Sequence, residues 1–172
     1  AALADFAADL HNGAIDLAAS QEIETYLANK ALGMSLRYGL NTSLEAIDER
    51  FRQQREKKTV RGEPIFSRIV LFDTDGEILA DTEPGSPLAS RPASIQTVDE
   101  SVRQIISSAQ IIYKDQLSGT LITLTAVDQL SRYLLSMNGQ GRYKEVLLNM
   151  DRELMLASST ATLGEQWARA KI

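Results

Sequence analysis

The sequence predicts an α+β domain in which a long N-terminal helix packs on an antiparallel β-sheet of about five strands. Three observations lead to this prediction. The chain begins with an apolar stripe at helical spacing, continues into a strand–turn–strand pattern over 65–82, and contains a second, longer hairpin pattern over 105–127.

The composition fits one folded domain, with room for a fragment of another. The chain has 172 residues, of which 44% are hydrophobic and 24% charged. A net charge of −5 argues against a nucleic-acid partner, because phosphate binding needs a concentrated positive surface. The absence of cysteine excludes disulfides and thiolate chemistry. No apolar run approaches the roughly 20 residues of a membrane span.

The N-terminal segment, 1–62, is predicted to be helical. Its first helix carries apolar residues at three-and-four spacing, at Leu3, Phe6, Leu10, Ala14 and Leu17. This stripe is narrow and rich in alanine, which resembles a coiled-coil seam more than a wide core face. His11 lies beside the stripe, and a surface or interface position explains it better than catalysis, since no partner triad is visible.

Two more helices are predicted before the sheet. Ser20 is the expected N-cap of a helix that ends at Gly33. Thr42 and Glu45 match a capping box, which predicts the start of a third helix. The stretch 34–40 between them is expected to form a short or broken helix. The buried stripe of the third helix is predicted at Leu44, Ile47 and Phe51.

The first hairpin is the clearest strand signal in the chain. Ser67–Phe72 reads as a buried strand and Glu77–Ala80 as its partner. In the turn Asp73–Gly76 between them, aspartates bond the local backbone and glycine accepts positive φ. Local hydrogen bonding explains Asp73 and Asp75 better than a metal site does.

The stretch after this hairpin alternates loop, helix and strand signals. Thr120–Val127 alternates threonine with apolar residues, which is the period of a half-buried strand. The predicted elements, in order, are a loop over 84–92, a short helix over 97–103, a strand over 105–114, a turn over 115–119, a strand over 120–127, a helix over 129–137 and a linker over 138–141.

The C-terminal stretch 144–158 is similar in sequence to the first hairpin. The two align without gaps when Val146 is placed on Val70, an offset of 76 positions (146 minus 70), and Arg152 then replaces Gly76. The similarity indicates either a structural repeat or chance, since strand–turn–strand sequences often resemble one another.

No catalytic constellation is present in the sequence. It contains one histidine, no phosphate-binding loop and no nucleophile with a recognisable base, so neither an enzyme activity, a cofactor nor a metal site is predicted. A hydrolase of unfamiliar type would need activity that depends on Asp73, Asp75 or His11.

A small-molecule pocket is the better prediction. Threonines on one strand face can line a polar cavity, an aspartate at a strand end can hold a cationic group, and arginines can clamp a carboxylate. The predicted ligand-binding residues are Arg68, Arg91, Tyr113, Thr123, Thr125 and Asp128. Each has a structural alternative, since threonine is a good strand former and Arg68 can pair with Asp73 or Glu77.

The order of these elements resembles the Cache domains, the PAS-like extracytoplasmic sensors of bacterial histidine kinases, chemoreceptors and diguanylate cyclases. The resemblance covers 1–135 and rests on a D-x-D-G motif at Asp73–Gly76 and a G-x-L-x-x-x-x-x-V-D motif at Gly119–Asp128. It implies a five-stranded PAS-like sheet behind the long helix, with a small molecule bound between sheet and loops. Asp128 would take a ligand amine, while Arg37 and Tyr38 only partly match the carboxylate motif of amino-acid-binding members.

The resemblance also implies a cellular location and a kind of full-length protein. Such a domain lies on the periplasmic or extracellular side of the cell membrane, within a membrane-anchored receptor that dimerises through its N-terminal helix. Because the chain begins without methionine or a signal peptide, it is interpreted as a piece of a longer protein.

The expected organisation is a helical segment over 1–62, a sheet domain over 63–138 and a second hairpin over 139–172, the start or remnant of a membrane-proximal lobe. The expected function is ligand sensing by a receptor, most simply a sensor histidine kinase, with signalling through the terminal helices. The alternative is a protein-docking or structural module without a small-molecule pocket.

Overall fold

The protein is described by a computed structural model that covers residues 2–88, 96–99, 103–137, 146–148 and 154–157. Its helices are α1 (Ala2–Ala18), α2 (Gln21–Ala31), α3 (Asn41–Lys57) and α4 (Val127–Met137), and a single wide turn over Leu36–Leu40 joins α2 to α3. The backbone is non-helical at Tyr38 and at Gly39, where φ is +107°, so the predicted broken helix is present.

The strands form antiparallel sheets. They are β1 (Thr59–Val60), β2 (Glu63–Pro64), β3 (Arg68–Phe72), β4 (Ile78–Asp81), β5 (Gln96–Asp99), β6 (Gln104–Tyr113), β7 (Gln116–Ala126), β8 (Val146–Leu148) and β9 (Leu154–Ala157). The central sheet has the order β4-β3-β7-β6-β5, while β1–β2 and β8–β9 are separate hairpins. The predicted class, α+β with a long N-terminal helix and an antiparallel sheet, is confirmed.

Helix α1 lies across one face of the central sheet, which we call the helix face. Its apolar stripe enters the main core, where Phe6, Leu10 and Leu17 are at most 2% exposed. Ile69 and Leu121 contribute to the same cluster from the sheet. The interpretation of this stripe as an intermolecular coiled-coil seam is therefore wrong for these side chains, because burying them against the sheet leaves none of their apolar surface for a partner helix.

The opposite face of the sheet, which we call the loop face, carries a smaller apolar cluster. It is covered by the segment after β4, from which Leu88 packs on the sheet. The sheet residues of this cluster are Val70, Phe72, Ile106, Ile122 and Leu124. The central strands β3 and β7 are therefore covered on both faces.

The first hairpin forms as predicted. The Asp73 Oδ1 accepts hydrogen bonds from the backbone N–H groups of Asp75 and Glu77, each at 2.9 Å. Gly76 has a φ of +87°. Local hydrogen bonding thus accounts for Asp73, and the turn needs glycine because other side chains crowd the backbone at positive φ.

Both predicted helix caps differ from the observed structure. Helix α3 begins at Asn41 rather than after Thr42, and it is Asn41 whose Nδ2 donates to the Glu45 carboxylate at 3.0 Å. The capping box does not form because the wide turn over Leu36–Leu40 runs directly into the helix. Ser20 occupies the N-cap of α2, but its side chain makes no cap hydrogen bond.

Two elements around β6 were predicted wrongly. Instead of a helix over 97–103, the chain forms β5, which pairs with β6 from Gln96 to Asp99 and so hydrogen-bonds an edge that would otherwise be unpaired. The β6–β7 turn contains only Lys114 and Asp115, with φ of +49° and +62°, because two left-handed residues match the twist of a two-residue hairpin.

The second hairpin repeats the backbone pairing of the first. In β3–β4 the pairs are Val70↔Asp81, Leu71↔Ala80 and Phe72↔Ile78, with an irregularity between Leu71 and Phe72. In β8–β9 the pairs are Val146↔Ala157, Leu147↔Leu156 and Leu148↔Leu154, with an irregularity between Leu147 and Leu148. Each pair, and the irregularity, in β8–β9 lies 76 positions (146 minus 70) after its counterpart in β3–β4. The sequence similarity of the two hairpins therefore extends to their strand register.

Within the described helices, none has both the length and the apolar character that crossing a membrane requires. The predicted linker over 138–141 lies outside the described residues.

Candidate functional site

The five predicted pocket residues that the structure describes lie in four separate places. Thr123 and Thr125 are each 1% exposed and lie on the helix face, because they pair with Ile69 and Ile105 of the main core. The prediction that they line a cavity between a strand and a loop is wrong, since the loop covers the other face. Their Oγ1 atoms are buried without a hydrogen-bond partner.

Arg68 lies on the loop face, where it forms a buried ion pair with Asp81 rather than with Asp73 or Glu77. Its Nε and Nη2 donate to the two carboxylate oxygens of Asp81 at 2.8 and 2.6 Å. Its Nη1 and Nη2 also donate to the carbonyl oxygens of Pro87 and Ser86, at 3.2 and 3.0 Å. The guanidinium thus fastens the segment after β4 to the sheet, and four of its five N–H donors are used in doing so.

Electrostatics reinforce this arrangement. Burial raises the pKa of Asp81, but hydrogen bonds from Arg68 and from the Glu83 N–H outweigh burial and hold the pKa below its ordinary value. The same hydrogen bond to Asp81 raises the pKa of Arg68 above its ordinary value. Both groups therefore stay charged at neutral pH.

Tyr113 and Asp128 lie at opposite ends of the sheet. Tyr113 pairs with Gln116 at the β6–β7 turn, whereas Asp128 lies two residues beyond the end of β7, in the first turn of α4. At about 3.3 Å per residue, the ten steps of β7 separate them by about 33 Å. They cannot line the same pocket. Arg91, the remaining predicted residue, lies outside the described residues.

Asp128 lines a cleft of about 280 Å³ at the end of β7. The cleft is formed by the last turn of α3, the β2–β3 connection, the segment after β4 and the first turns of α4. Its lining residues are Arg55, Glu63, Pro64, Ser67, Glu83, Ala126, Asp128, Gln129 and Arg132. We call it the Asp128 cleft.

The lining of the Asp128 cleft carries three carboxylates, those of Glu63, Glu83 and Asp128, and two guanidinium groups, those of Arg55 and Arg132. The side chain of Asp128 is 74% exposed and lies 3.6 Å from an Nη of Arg103, which is a loose contact. Glu63 is 61% exposed and lies 3.5 Å from Arg132. Glu83 is a third carboxylate at the rim, so a ligand amine placed here would meet negative groups from three chain segments.

Hydrogen bonds to backbone carbonyls hold the polar side chains of the cleft in place. Gln129 is 6% exposed, and its Nε2 donates to the Pro64 carbonyl at 3.1 Å while its Oε1 is buried without a partner. The Ser67 hydroxyl donates to the Leu124 carbonyl, and the Arg55 Nε donates to the Phe66 carbonyl. These bonds hold the lining in place before a ligand arrives.

Of the predicted residues that the structure describes, only Asp128 belongs to this cleft. Glu63, Glu83 and Gln129 were missed, because they come from separate segments whose proximity depends on how the sheet edge meets α3 and α4. Among the described residues, no group of three or more histidines, aspartates and glutamates is placed to hold a metal ion.

Helix α4 connects the Asp128 cleft to α1. Asp128, Gln129 and Arg132 line the cleft, and Tyr133 packs its ring on Phe6 of α1 with the centroids 4.7 Å apart. Helix α4 therefore contacts both the Asp128 cleft and the N-terminal helix.

A scan against protein-family models matches none of them, and a search of the curated proteins finds no similar sequence.

Proposed function

We propose that this chain is an extracytoplasmic ligand-sensing domain of a bacterial membrane receptor, of the sensor histidine kinase type, with a PAS-like sheet. The central five-stranded antiparallel sheet with a long helix across one face supports this proposal, because the Cache resemblance implies that arrangement. The repeated pairing of β8–β9 supports a second lobe of similar construction after α4.

The ligand would be a small molecule with an amine, bound in the Asp128 cleft. The observation that carries this assignment is the meeting of Asp128, Glu63 and Glu83 around one cleft of about 280 Å³. A protonated amine would pair with these carboxylates, which outnumber the two arginines of the lining by one, and another polar group of the ligand would reach the partly exposed Ser67. In this proposal the domain is a sensor rather than an enzyme.

Signalling would run through the terminal helices. A ligand that contacts the first turns of α4 more favourably in one position of the helix shifts the population toward that position, by the difference in its affinity for the two. The contact between Tyr133 and Phe6 then transmits the change to α1. Dimerisation through α1 would use its outward face, because the apolar stripe is buried.

A thermal-shift screen with amino acids, carboxylates, polyamines and purines tests the ligand assignment. The variant Asp128→Asn removes the charge, and Asp115→Asn is its matched control, since Asp115 is exposed, far from the cleft, and in a left-handed conformation that asparagine tolerates. We expect an amine-bearing compound to stabilise the wild type and Asp115→Asn by about 2.7 kcal/mol at a hundredfold excess over Kd.

The same compound should stabilise Asp128→Asn much less. A compound that stabilises both variants equally would place the site elsewhere. A panel without any stabilising compound would contradict the sensing of an amine.

A second candidate function is protein docking, and the segment between α2 and α3 favours it. Four large apolar side chains are exposed there: Leu32 by 76%, Met34 by 40%, Leu36 by 61% and Tyr38 by 70%. Such a cluster typically marks an interaction site. A docking module would give no saturable stabilisation by any small molecule, so the same screen separates the two functions.

A further inference from the structure

The connection between α2 and α3 carries a cluster of exposed apolar side chains. Every residue from Lys30 to Tyr38 is exposed, and we call residues 30–38 the α2–α3 tip. Of the eight large hydrophobic side chains that are exposed in the described residues, four lie in this tip, whereas the others are spread over α1, β4 and the β6–β7 hairpin. The four are Leu32, Met34, Leu36 and Tyr38. Covering them with a partner surface would remove hydrocarbon from water.

Hydrogen bonds and packing hold the backbone of the α2–α3 tip in place. The N–H groups of Tyr38 and Leu40 donate to the Ser35 carbonyl at 3.0 and 3.2 Å. Met34 packs against Gly39, where its Sδ would lie 2.8 Å from an added Cβ. Leu40 is buried in the main core and anchors the end of the tip. The exposed side chains therefore extend from an ordered backbone, which lowers the entropy cost of binding a partner.

The α2–α3 tip is positively charged in an otherwise acidic protein. Residues 25–44 contain no aspartate or glutamate, and their only charged side chains are Lys30 and Arg37. The rest of the chain therefore carries a net charge of −7 (−5 minus +2). Neither cation forms an ion pair in the described part of the chain, and the Arg37 guanidinium lies 5.5 Å from the centroid of the Tyr38 ring. A surface with unpaired carboxylates would complement these two charges.

Unpaired carboxylates lie on the two helices that flank the tip. Helices α2 and α3 pack side by side, and the Asn29 Nδ2 donates to the Ser43 Oγ at 2.9 Å close to the tip. The exposed surface of this helix pair includes Glu24 on α2 and Glu45 on α3, and neither forms an ion pair with a described cation. Glu45 is about 6 Å along α3 from its first residue, at 1.5 Å per residue. One copy of the chain thus has a cationic apolar tip next to acidic flanks.

From this arrangement we infer that the α2–α3 tip is a self-association surface, and that its partner is the same surface of a second copy of this chain. In a two-fold contact with the helix pairs antiparallel, the tip of each copy would lie on the flank of the other. Lys30 and Arg37 of one copy would then face Glu24 and Glu45 of the second, and the same pairing would occur in reverse. The apolar side chains of both tips would be covered in the same contact.

This surface is separate from the outward face of α1, and the inference does not rest on the proposed function. Sedimentation velocity over a range of protein concentrations tests it in the Ile15→Glu background. That background removes any contact through the outward face of α1, so a failure of the α1 dimer and a failure of the tip dimer give different results. We expect a reversible equilibrium between monomer and dimer.

Truncating an apolar side chain of the tip should weaken this dimer. Leu36→Ser should weaken it by about tenfold or more, because the serine loses the apolar contact. Ile112→Ser is the matched control, since Leu36 and Ile112 are 61% and 58% exposed and Ile112 lies on β6, outside the tip and its flanks. The control should leave the equilibrium unchanged.

Two charge-reversed proteins test the pairing of tip and flank. One carries Lys30→Glu and Arg37→Glu, and the other carries Glu24→Lys and Glu45→Lys. Each alone should stay monomeric, because like charges would face each other in both halves of a two-fold contact. An equimolar mixture should form a heterodimer, since both halves then pair opposite charges. Lys57→Glu, exposed at the far end of α3, is the control and should leave self-association unchanged.

Three results would overturn the inference, once thermal melts show that each variant is folded. A chain that stays monomeric at every concentration would leave the tip as a docking site for a different protein. A dimer that Leu36→Ser does not weaken would have its interface elsewhere. A mixture of the two charge-reversed proteins that remains monomeric would contradict the pairing of tip with flank.

Discussion

Arg68 and Asp81 form a buried bidentate ion pair on the loop face of the sheet. Their side chains are 5% and 6% exposed, and the two bonds measure 2.8 and 2.6 Å. The pair joins β3 to the end of β4. Other N–H groups of the Arg68 guanidinium donate hydrogen bonds to the carbonyl oxygens of Ser86 and Pro87. The pair thus fixes the covering segment to this face of the sheet through polar contacts.

Removing one partner of this pair should be costly. Asp81→Asn leaves the buried guanidinium without its counter-charge, so we expect a loss of about 3–5 kcal/mol in the free energy of unfolding, measured in urea. Asp75→Asn, in the exposed turn before β4, is the control and should change it by less than about 0.5 kcal/mol. The double variant Arg68→Met/Asp81→Leu should recover most of the loss; equal losses in the single and double variants would contradict this account of the pair.

The same pair predicts how stability depends on pH. The pKa of Asp81 is lower in the folded protein than in the unfolded chain, so between the two values the unfolded chain binds more protons. The contribution is fully present above an unfolded pKa of about 3.9 and is lost as pH falls through the folded pKa. The unfolding free energy of the wild type should therefore fall more steeply below about pH 4 than that of Arg68→Met/Asp81→Leu. Parallel pH profiles would contradict this prediction.

Gly13 tests how closely α1 packs on the core. A Cβ at this position would lie 2.7 Å from the Phe66 ring, and Phe66 is 0% exposed and cannot move away easily. Gly13→Ala should therefore destabilise the protein by about 1–3 kcal/mol, although alanine favours a helix by about 1 kcal/mol over glycine. Asn12→Ala, on the exposed side of the same turn, should be neutral or slightly stabilising. A gain in thermal stability from Gly13→Ala would show that the helix is more loosely packed.

Much of the fold follows from local pattern. The α1 stripe and the Asp73–Gly76 turn were predicted because period and turn chemistry act over a few residues. What the stripe packs against was not predictable: the same spacing at Phe6 and Leu10 serves a core face or a dimer seam. A helix was predicted where β5 lies, because the local sequence does not show the pairing with β6. In the folded chain this pairing outweighs the local preference.

The candidate sites were harder to predict because they join distant segments. Asp128 follows from the end of a strand pattern, but its neighbours Glu63 and Glu83 precede it by more than forty residues and reach it only through the folded sheet. The partner of Arg68 was misassigned because Asp81 is brought close by strand pairing rather than by sequence proximity. The missing cap at Ser20 has no signal in the sequence, since serine is what a normal cap would contain.

The outward face of α1 provides a test of dimerisation. Ala8, Asn12 and Ile15 are exposed along one side of the helix, and Ile15 is 44% exposed. If the domain dimerises through this face, Ile15→Glu should convert a dimer to a monomer in sedimentation velocity runs, because a charge would be buried in the contact. Ile78→Glu, at an exposed position on the edge strand β4, is the control. A dimer that persists in Ile15→Glu would place the interface elsewhere.

The most direct test of the sensing proposal is a two-dimensional NMR titration of ¹⁵N-labelled protein with each stabilising amine from the thermal screen. If the Asp128 cleft is the site, backbone amides of Ser67, Asp128, Gln129 and Arg132 should shift saturably, followed by smaller shifts around Phe6 through the contact with Tyr133. In Asp128→Asn the same additions should produce no saturable shifts at the cleft. Shifts that leave the first turns of α4 unaffected, or that are identical in Asp128→Asn, would contradict the proposal.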